Sequence, residues 1–320
     1  MRLSKEHWTI THLHKHLQYA VDLEFWTIPF YMSAMYSIRD RASDAFQLIQ
    51  SIVNQEMLHV QLAANIANAY GLSPSFKAPI YEGTSVPHLC FDIDTPDPRE
   101  RFKPYSAEIG PLDEQRIHAM CLIEYPEWDT GHAPDLRDNV TEYGSIGDFY
   151  KALAYGARLM KKCVRGGILQ VNHFAAYYRN LPCLTVMDNG EEGLHQVLLL
   201  IDIIREQGEG ASMKADGLPA HFQNTADDGV PASAHYAKFN TIRLSRSLPS
   251  TYPVMPESLY SAKDHALRKI LGVHFTHFRR ALTQLFSGGN PEDFVPLMIS
   301  VGAQIQNCWK HGVTPRFSEM

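Results

Sequence analysis

Two consecutive segments of the chain have the pattern of amphipathic helices, and each carries one glutamate in the middle of its apolar face. The first segment spans residues 13–38, the second spans residues 43–70, and a short polar turn separates them. This arrangement predicts an antiparallel helical hairpin. The core-facing rows are Leu13, Leu17, Ala20, Glu24, Ile28, Tyr31, Met35 and Ile38 in the first helix and Phe46, Ile49, Val53, Glu56, Val60, Ala63 and Ala67 in the second. A carboxylate in such a row is costly unless a partner neutralises it.

The two glutamates are predicted to lie at nearly the same height in this hairpin. Glu24 stands about fifteen residues before the turn and Glu56 about fourteen after it, and a helix rises roughly 1.5 Å per residue. His59, three residues after Glu56, shares its helix face. Di-iron carboxylate bundles hold a metal with this Glu-x-x-His spacing. Because two carboxylates at one level repel each other unless a cation or a proton lies between them, the pattern favours a metal site over glutamates that hydrogen-bond to Tyr or His neighbours.

The composition indicates a globular protein and argues against several classes of function. The chain has 320 residues, of which 45% are hydrophobic and 20% are charged, as in ordinary globular proteins. A net charge of −6, without a basic patch interleaved with aromatics, argues against nucleic-acid binding. The polar N-terminus and the lack of an apolar run of about 18 residues argue against a signal peptide and a membrane span. Five cysteines without a Cys-x-x-Cys motif are typical of reduced thiols, so we expect a cytoplasmic protein.

A proline-rich stretch interrupts the helical pattern after the hairpin. Residues 73–110 contain six prolines and no sustained period, which predicts a long loop of the kind that often covers a functional site. Residues 111–123 then form a brief apolar strand or helix that ends at Glu124. Two interpretations of Glu124 stay open, because the buried run either aims it at the site or leaves it on the surface before a turn.

The second half of the bundle is predicted to begin after Gly144. Ser145, with Asp148 three residues later, has the spacing of a capping box, and a further helix runs from Glu191 to about residue 210. If these two helices are antiparallel neighbours, Asp148, Glu206 and Glu209 share a level and are candidates for the second half of a dinuclear site. Asp148 as a plain helix cap and Glu206 as a solvated helix end are the alternatives. After the loop, His235 is placed to close the site from a short helix.

The C-terminal region has two more amphipathic helices, at about residues 261–286 and 292–309. The histidines there are not matched by core carboxylates, so they are interpreted as packing or surface residues. The sequence therefore predicts an all-α fold in two parts. Residues 1–245 form a metal-binding four-helix bundle with a loop insertion at 73–143, and residues 246–320 form helices packed on it.

Seven short segments of this chain carry a resemblance to a known family. They are LQYAVDLE at 17–24, TIPFY at 27–31, EMLH at 56–59, AAN at 63–65, SIGDFY at 145–150, EQGEG at 206–210 and HYAKF at 235–239. Their order and spacing resemble the ferritin-like domain of the iminophenyl-pyruvate dimer synthase type from violacein biosynthesis. The resemblance implies a ferritin-like helical bundle with a buried metal site. It also implies a set of ligands, namely Glu24, Glu56, His59, Glu206 and His235.

The chain departs from the family pattern at two places. Asp148 stands where the family usually has Glu, and the second half lacks a plain Glu-x-x-His because Glu209 follows Glu206 at that spacing. One bound metal is therefore an alternative to two.

The predicted function is that of a non-haem iron oxidase or oxygenase acting on a small organic metabolite in secondary metabolism. Carboxylate and imidazole ligands suit iron, with manganese as an alternative, and an open position would admit dioxygen. Glu56 is the expected bridging ligand, and Tyr31 and Tyr150 either donate protons or electrons or pack in the core. A non-catalytic or metal-storage bundle and a metal-independent acid–base enzyme are the alternatives. The long insertions favour an enzyme over storage, and a homo-oligomer is possible.

Overall fold

The computed structural model describes residues 2–86, 89–90, 97–126, 135–174, 184–208 and 233–318. Within these ranges almost all of the regular secondary structure is helical, which confirms the all-α prediction. The eight helices are α1 (Ile10–Ser37), α2 (Asp44–Ala69), α3 (Glu114–Ile123), α4 (Ile146–Leu159), α5 (Gly190–Gly208), α6 (His235–Arg243), α7 (Ala262–Phe286) and α8 (Phe294–Lys310). A two-stranded antiparallel ribbon joins β1 (Arg2–Leu3) to β2 (Leu136–Arg137).

The α1–α2 hairpin forms the centre of the molecule, with bounds close to those predicted. Ser43 precedes α2, and Asp44 in the first turn places a negative charge at the positive end of the helix dipole. Beyond its C-terminus Gly71 adopts a left-handed φ of +79°, and the N–H of Leu72 donates to the carbonyl of Ala67. Helices commonly end at a glycine in this left-handed conformation, because it has no side chain to strain the turn. Almost all side chains of α2 from Leu48 onwards are buried.

Four shorter helices surround this hairpin and bring side chains to its middle. Helix α4 packs on α1 and on α5, α5 packs on α2, and α3 packs on α6. The segment interpreted as a brief strand or helix is the helix α3. Its N-cap Asp113 accepts a hydrogen bond from the main-chain N–H of Arg116, and this cap favours a helix over a strand.

The C-terminal helices α7 and α8 pack on each other and on the hairpin. The ring of Phe275 in α7 stacks on that of Phe25 in α1, with centroids 5.6 Å apart. In α8 the fully buried Trp309 donates its indole N–H to the carbonyl of Ser33 at 2.8 Å. None of the helices in the described ranges combines the length and the apolarity that a bilayer span requires.

Candidate metal centre

Five buried acidic and imidazole side chains converge from four helices on the middle of the hairpin. Glu24 comes from α1, Glu56 and His59 from α2, Glu124 from the C-cap of α3, and His235 from the first residue of α6. None of them is more than 4% exposed. One possible ligand atom from each of Glu56, His59 and His235 lies within 4.8 Å of the others.

Glu56 lies between the two imidazoles. Its Oε1 is 2.9 Å from Nδ1 of His235, and its Oε2 is 3.8 Å from Nδ1 of His59. The same nitrogen of His59 is 3.2 Å from Oε2 of Glu24, and that of His235 is 3.7 Å from Oε1 of Glu124. The cluster therefore has two halves, Glu24 with His59 and Glu124 with His235, and Glu56 has one oxygen facing each.

Two glutamines hold the outer nitrogens of the histidines. Nε2 of His59 is 2.9 Å from Oε1 of Gln207, and Nε2 of His235 is 3.1 Å from Oε1 of Gln55. An amide oxygen only accepts hydrogen bonds, so these contacts place a proton on each Nε2. In the neutral ring the lone pair is then on Nδ1, which faces the carboxylates. Metal-binding histidines are commonly oriented by a second hydrogen bond of this kind.

Hydroxyl groups orient the three carboxylates. Tyr150 donates to Oε1 of Glu24, Tyr31 donates to Oε1 of Glu124 at 2.6 Å, and the hydroxyl of Thr27 lies 2.8 Å from Oε2 of Glu56. Burial, followed by the negative charge of the neighbouring glutamate, raises the pKa of Tyr31 and of Tyr150 well above the usual value. Both phenols are therefore protonated donors at neutral pH.

The electrostatics of the metal-free cluster show that it needs positive charge. Burial, and then the charge of Glu124, raise the pKa of Glu56 well above its usual value, although His59 opposes this. Burial alone would also raise the pKa of Glu124. The contact with His235 and the hydrogen bond from Tyr31 outweigh burial and lower it. Without a cation, burial and the neighbouring carboxylates both favour the protonated form of Glu56.

The residues fit a metal ion better than they fit protons alone. Although Nδ1 of His235 is only 2.9 Å from Oε1 of Glu56, the two atoms are not aligned for a hydrogen bond. This buried nitrogen therefore has no hydrogen-bond partner among the described residues, which is costly unless something else occupies its lone pair. Carboxylate oxygens and imidazole nitrogens are ligands that suit iron, manganese and zinc.

The structure brings together most of the residues that the sequence singled out. The predicted site residues that meet in or around the cluster are Glu24, Glu56, His59, Glu124, His235, Tyr31 and Tyr150. Of the two interpretations of Glu124, the buried one is correct, since only 3% of its surface is exposed. Glu209 lies outside the described residues.

Asp148 and Glu206 lie at the positions that the alternatives to their ligand roles gave them, a helix start and a helix end. Asp148 lies in the first turn of α4, where its N–H donates to Ser145 Oγ. Asp148 therefore lies at a helix start. Its charge adds to burial in raising the pKa of Tyr143. At the end of α5 the side chain that faces His59 is Gln207, whereas Glu206 is half-buried. An amide thus stands where we expected a carboxylate.

Sequence reasoning missed three residues that support the cluster, and two of them had a usable signal. Gln207 follows the buried Ile203 and Ile204 by four and three positions, so the helical period places it on the buried face. Thr27 follows Glu24 by three positions on the core side. Gln55 is adjacent to Glu56 in the sequence, and nothing in its spacing indicates that it contacts His235 from α6.

Comparison with known proteins identifies the family. The model of the Ferritin-like family matches residues 17–244. A solved structure of a ferritin-like protein from Caulobacter vibrioides is 42% identical and superposes with a TM-score of 0.83, over 97% of this chain and 99% of that chain. No curated protein matches. Both matches are to the broad family, and neither specifies the iminophenyl-pyruvate dimer synthase type. The chain belongs to the Ferritin-like family.

Proposed function

We propose that the chain is an iron-dependent oxidoreductase that acts on a small organic molecule with dioxygen. The position of Glu56 carries this proposal, because each of its oxygens faces a different imidazole nitrogen. A carboxylate so placed suits two cations, and a single cation beside it would still have both histidines within reach. The membership of the Ferritin-like family, whose di-iron members use Glu and His ligands from a helical bundle, supports the same assignment.

Each side chain of the cluster has a definable role in such an enzyme. Bound iron supplies redox and Lewis-acid chemistry. Glu24 and His59 would hold one side, Glu124 and His235 the other, and Glu56 would serve both. Tyr31 and Tyr150 keep their protons on hydroxyls that point at Glu124 and Glu24, and they are the nearest proton donors to these carboxylates among the described contacts. The almost complete burial of the cluster excludes bulk water.

A metal-independent acid–base enzyme is the second candidate. The raised pKa of Glu56 favours it, because a carboxyl group whose pKa lies above its usual value is better suited to acid catalysis. The two candidates differ in their response to chelation. Iron-dependent oxygen uptake would stop when the metal is removed, whereas acid–base turnover would persist.

Glu56→Gln tests the iron-dependent function. Glutamine keeps the size of the side chain but removes the charge that offsets a cation, so we expect the variant to lose iron binding and oxygen uptake. Glutamine is uncharged, so it avoids the charge burial and the repulsion from Glu124 and Glu24 that raise the pKa of Glu56 in the metal-free protein. The chelator-treated variant should therefore melt at the same temperature as chelator-treated wild type or at a higher one. The measurements are iron content after anaerobic loading, oxygen uptake with ferrous iron, and thermal melting.

Glu192→Gln is the matched control, because Glu192 is exposed on α5 and should behave as wild type in all three measurements. Iron content near two per chain would support two metals, and a plateau at one would support a single ion. A Glu56→Gln protein that is less stable by about 1–3 kcal/mol, yet binds iron and consumes oxygen, would show that Glu56 is only structural.

A further inference from the structure

A surface groove lies between α7 and the segment that follows α2. Its volume is about 520 Å³, within the range of roughly 300–1,000 Å³ that is typical of pockets for small organic ligands. Phe76 lines one side of it. Polar side chains of α7 and its C-cap line the other, among them Thr276, Arg279, Arg280, Gln284 and Ser287. None of the metal-cluster residues lines this α7 groove, so the proposed function leaves it unexplained.

The α7 groove has an excess of positive charge. Arg279 and Arg280 both line it, and none of the described lining residues is acidic. Arg280 is exposed, and no carboxylate in the described part of the chain forms an ion pair with it. Since the whole chain carries a net charge of −6, this local positive charge is not a general property of the molecule.

Contacts within the protein hold Arg279 in the wall of the groove. Its Nη1 donates to the carbonyl of Phe76 at 3.1 Å, and its Nη2 lies 3.4 Å from Oγ1 of Thr276. The guanidinium carbon is 5.7 Å from the centre of the Phe275 ring. These three groups are uncharged, so they orient the guanidinium without cancelling its charge. A cation that is already ordered loses less conformational freedom when a ligand binds.

The position of the two arginines along α7 indicates where an anion would lie. The helix ends at Phe286, and its last turn contains no basic residue. The carbonyl end of a helix dipole favours cations within that turn and disfavours anions there. The dipole therefore does not explain the arginines, which lie about two turns before the end, and it disfavours an anion beside Ser287. We propose that the α7 groove binds a small organic phosphate, with its phosphate group at Arg279 and Arg280.

Two guanidinium groups suit a phosphate better than a carboxylate. A guanidinium presents its N–H donors in a planar fork that matches the oxygens of either anion. A phosphate monoester carries nearly two negative charges at neutral pH, which matches two arginines, whereas a carboxylate carries one. The neutral amide of Gln284 and the hydroxyl of Ser287 are suited to hydrogen-bonding an uncharged part of the ligand.

The test is calorimetric titration of the purified protein with phenyl phosphate and with benzoate, which has the same ring but a single charge. We expect phenyl phosphate to bind about tenfold more tightly and its affinity to fall with added salt. Arg280→Gln removes a charged donor and should weaken this binding by about tenfold. Arg280→Lys, which keeps the charge but not the fork, should weaken it less.

Arg246→Gln is the matched control, because Arg246 is exposed, does not line the groove and loses the same charge. It should bind phenyl phosphate as wild type does, and equal weakening in both variants would overturn the proposal in favour of attraction to the net charge. Wild type that binds no phenyl phosphate at low salt, or binds benzoate equally well, would also overturn it. So would an Arg280→Gln variant with wild-type affinity, which would place the phosphate elsewhere, for example at the metal cluster. The proposed function depends on iron binding and can fail without changing these results.

Discussion

At the scale of single residues, His16 shows how burial sets a charge state outside the cluster. This α1 histidine is fully buried. Its Nδ1 donates to the carbonyl of His12 at 2.8 Å, and its Nε2 accepts from the hydroxyl of Tyr143 at 2.9 Å. The ring of Trp8 meets the imidazole in an edge-on contact, and the ring of Phe149 stacks on it. Burial lowers the pKa of His16 to about 4, so the ring is neutral in the folded protein at physiological pH.

His16 should make the folded state sensitive to acid. Its pKa is about 4 in the folded chain and about 6.5 when unfolded, so the unfolded state binds more protons between these values. Stability is therefore full above pH 6.5 and falls as the pH drops towards 4, by up to about 3 kcal/mol. In His16→Gln we expect a smaller loss of the free energy of unfolding between pH 7 and pH 4.5, measured by urea titration. Exposed His7 is the control position, and an unchanged pH dependence in His16→Gln would contradict the assignment.

The residues of the cluster could be predicted to different degrees. Glu24 and Glu56 were identified because a carboxylate in a row of apolar residues conflicts with its surroundings, and His59 because of its spacing from Glu56. The choice between Glu206 and Gln207 depends on a rotation of one residue, about 100°, at a helix end. Gln55 was not predicted because its partner His235 is 180 positions away in the sequence. Local periodicity contains no information on such a contact.

At the scale of helices, the close approach of α4 to the N-terminal segment depends on one glycine. A Cβ atom added to Gly156 would lie 2.5 Å from Cζ2 of Trp8, whose ring is buried. The N-terminal segment can pack against α4 only because this position has no side chain. Gly156 therefore serves packing at the expense of helix propensity.

Gly156→Ala should destabilise the protein although alanine is the better helix former. The gain in helix propensity is at most about 1 kcal/mol, whereas overpacking a buried ring costs about 1–3 kcal/mol. We expect a net loss of stability in urea titration. The smaller side chain of Trp8→Leu, combined with Gly156→Ala, should remove the clash, so the two changes should be coupled in a double-mutant cycle. If Gly156→Ala alone were as stable as wild type, the ring of Trp8 would be shown to move aside without a cost in stability.

The helices differ in how well the sequence defines them. The bounds of α1 and α2 followed from two long apolar rows with a polar turn between them. Helix α3 was ambiguous because a short, continuously apolar run fits a buried strand as well as a helix. Its packing against α6, more than a hundred residues further along the chain, lies outside the reach of local patterns.

At the scale of the whole molecule, the C-terminal helices share their core with the hairpin. Trp309 in α8 is fully buried and bonds to α1, and Asn68 of α2 donates to the carbonyl of Phe286 at 3.0 Å. We therefore expect Trp309→Ala to cost about 3–5 kcal/mol and the entire chain to unfold in one transition. Calorimetry together with far-ultraviolet circular dichroism checks this, with Trp309→Phe as the milder change. Two separate transitions, the upper one unchanged by Trp309→Ala, would instead support independent units at residues 1–245 and 246–320.

The burial of the cluster has a kinetic consequence. Glu24, Glu56, His59, Glu124 and His235 are each at most 4% exposed, and they come from four separate helices. An ion held among them can leave only while those helices move apart. Such local openings have their own free energy, which the packing of the surrounding core determines. The residence time of an ion would then follow the frequency of these openings, and a chelator in the solvent would remove it no faster than the helices separate.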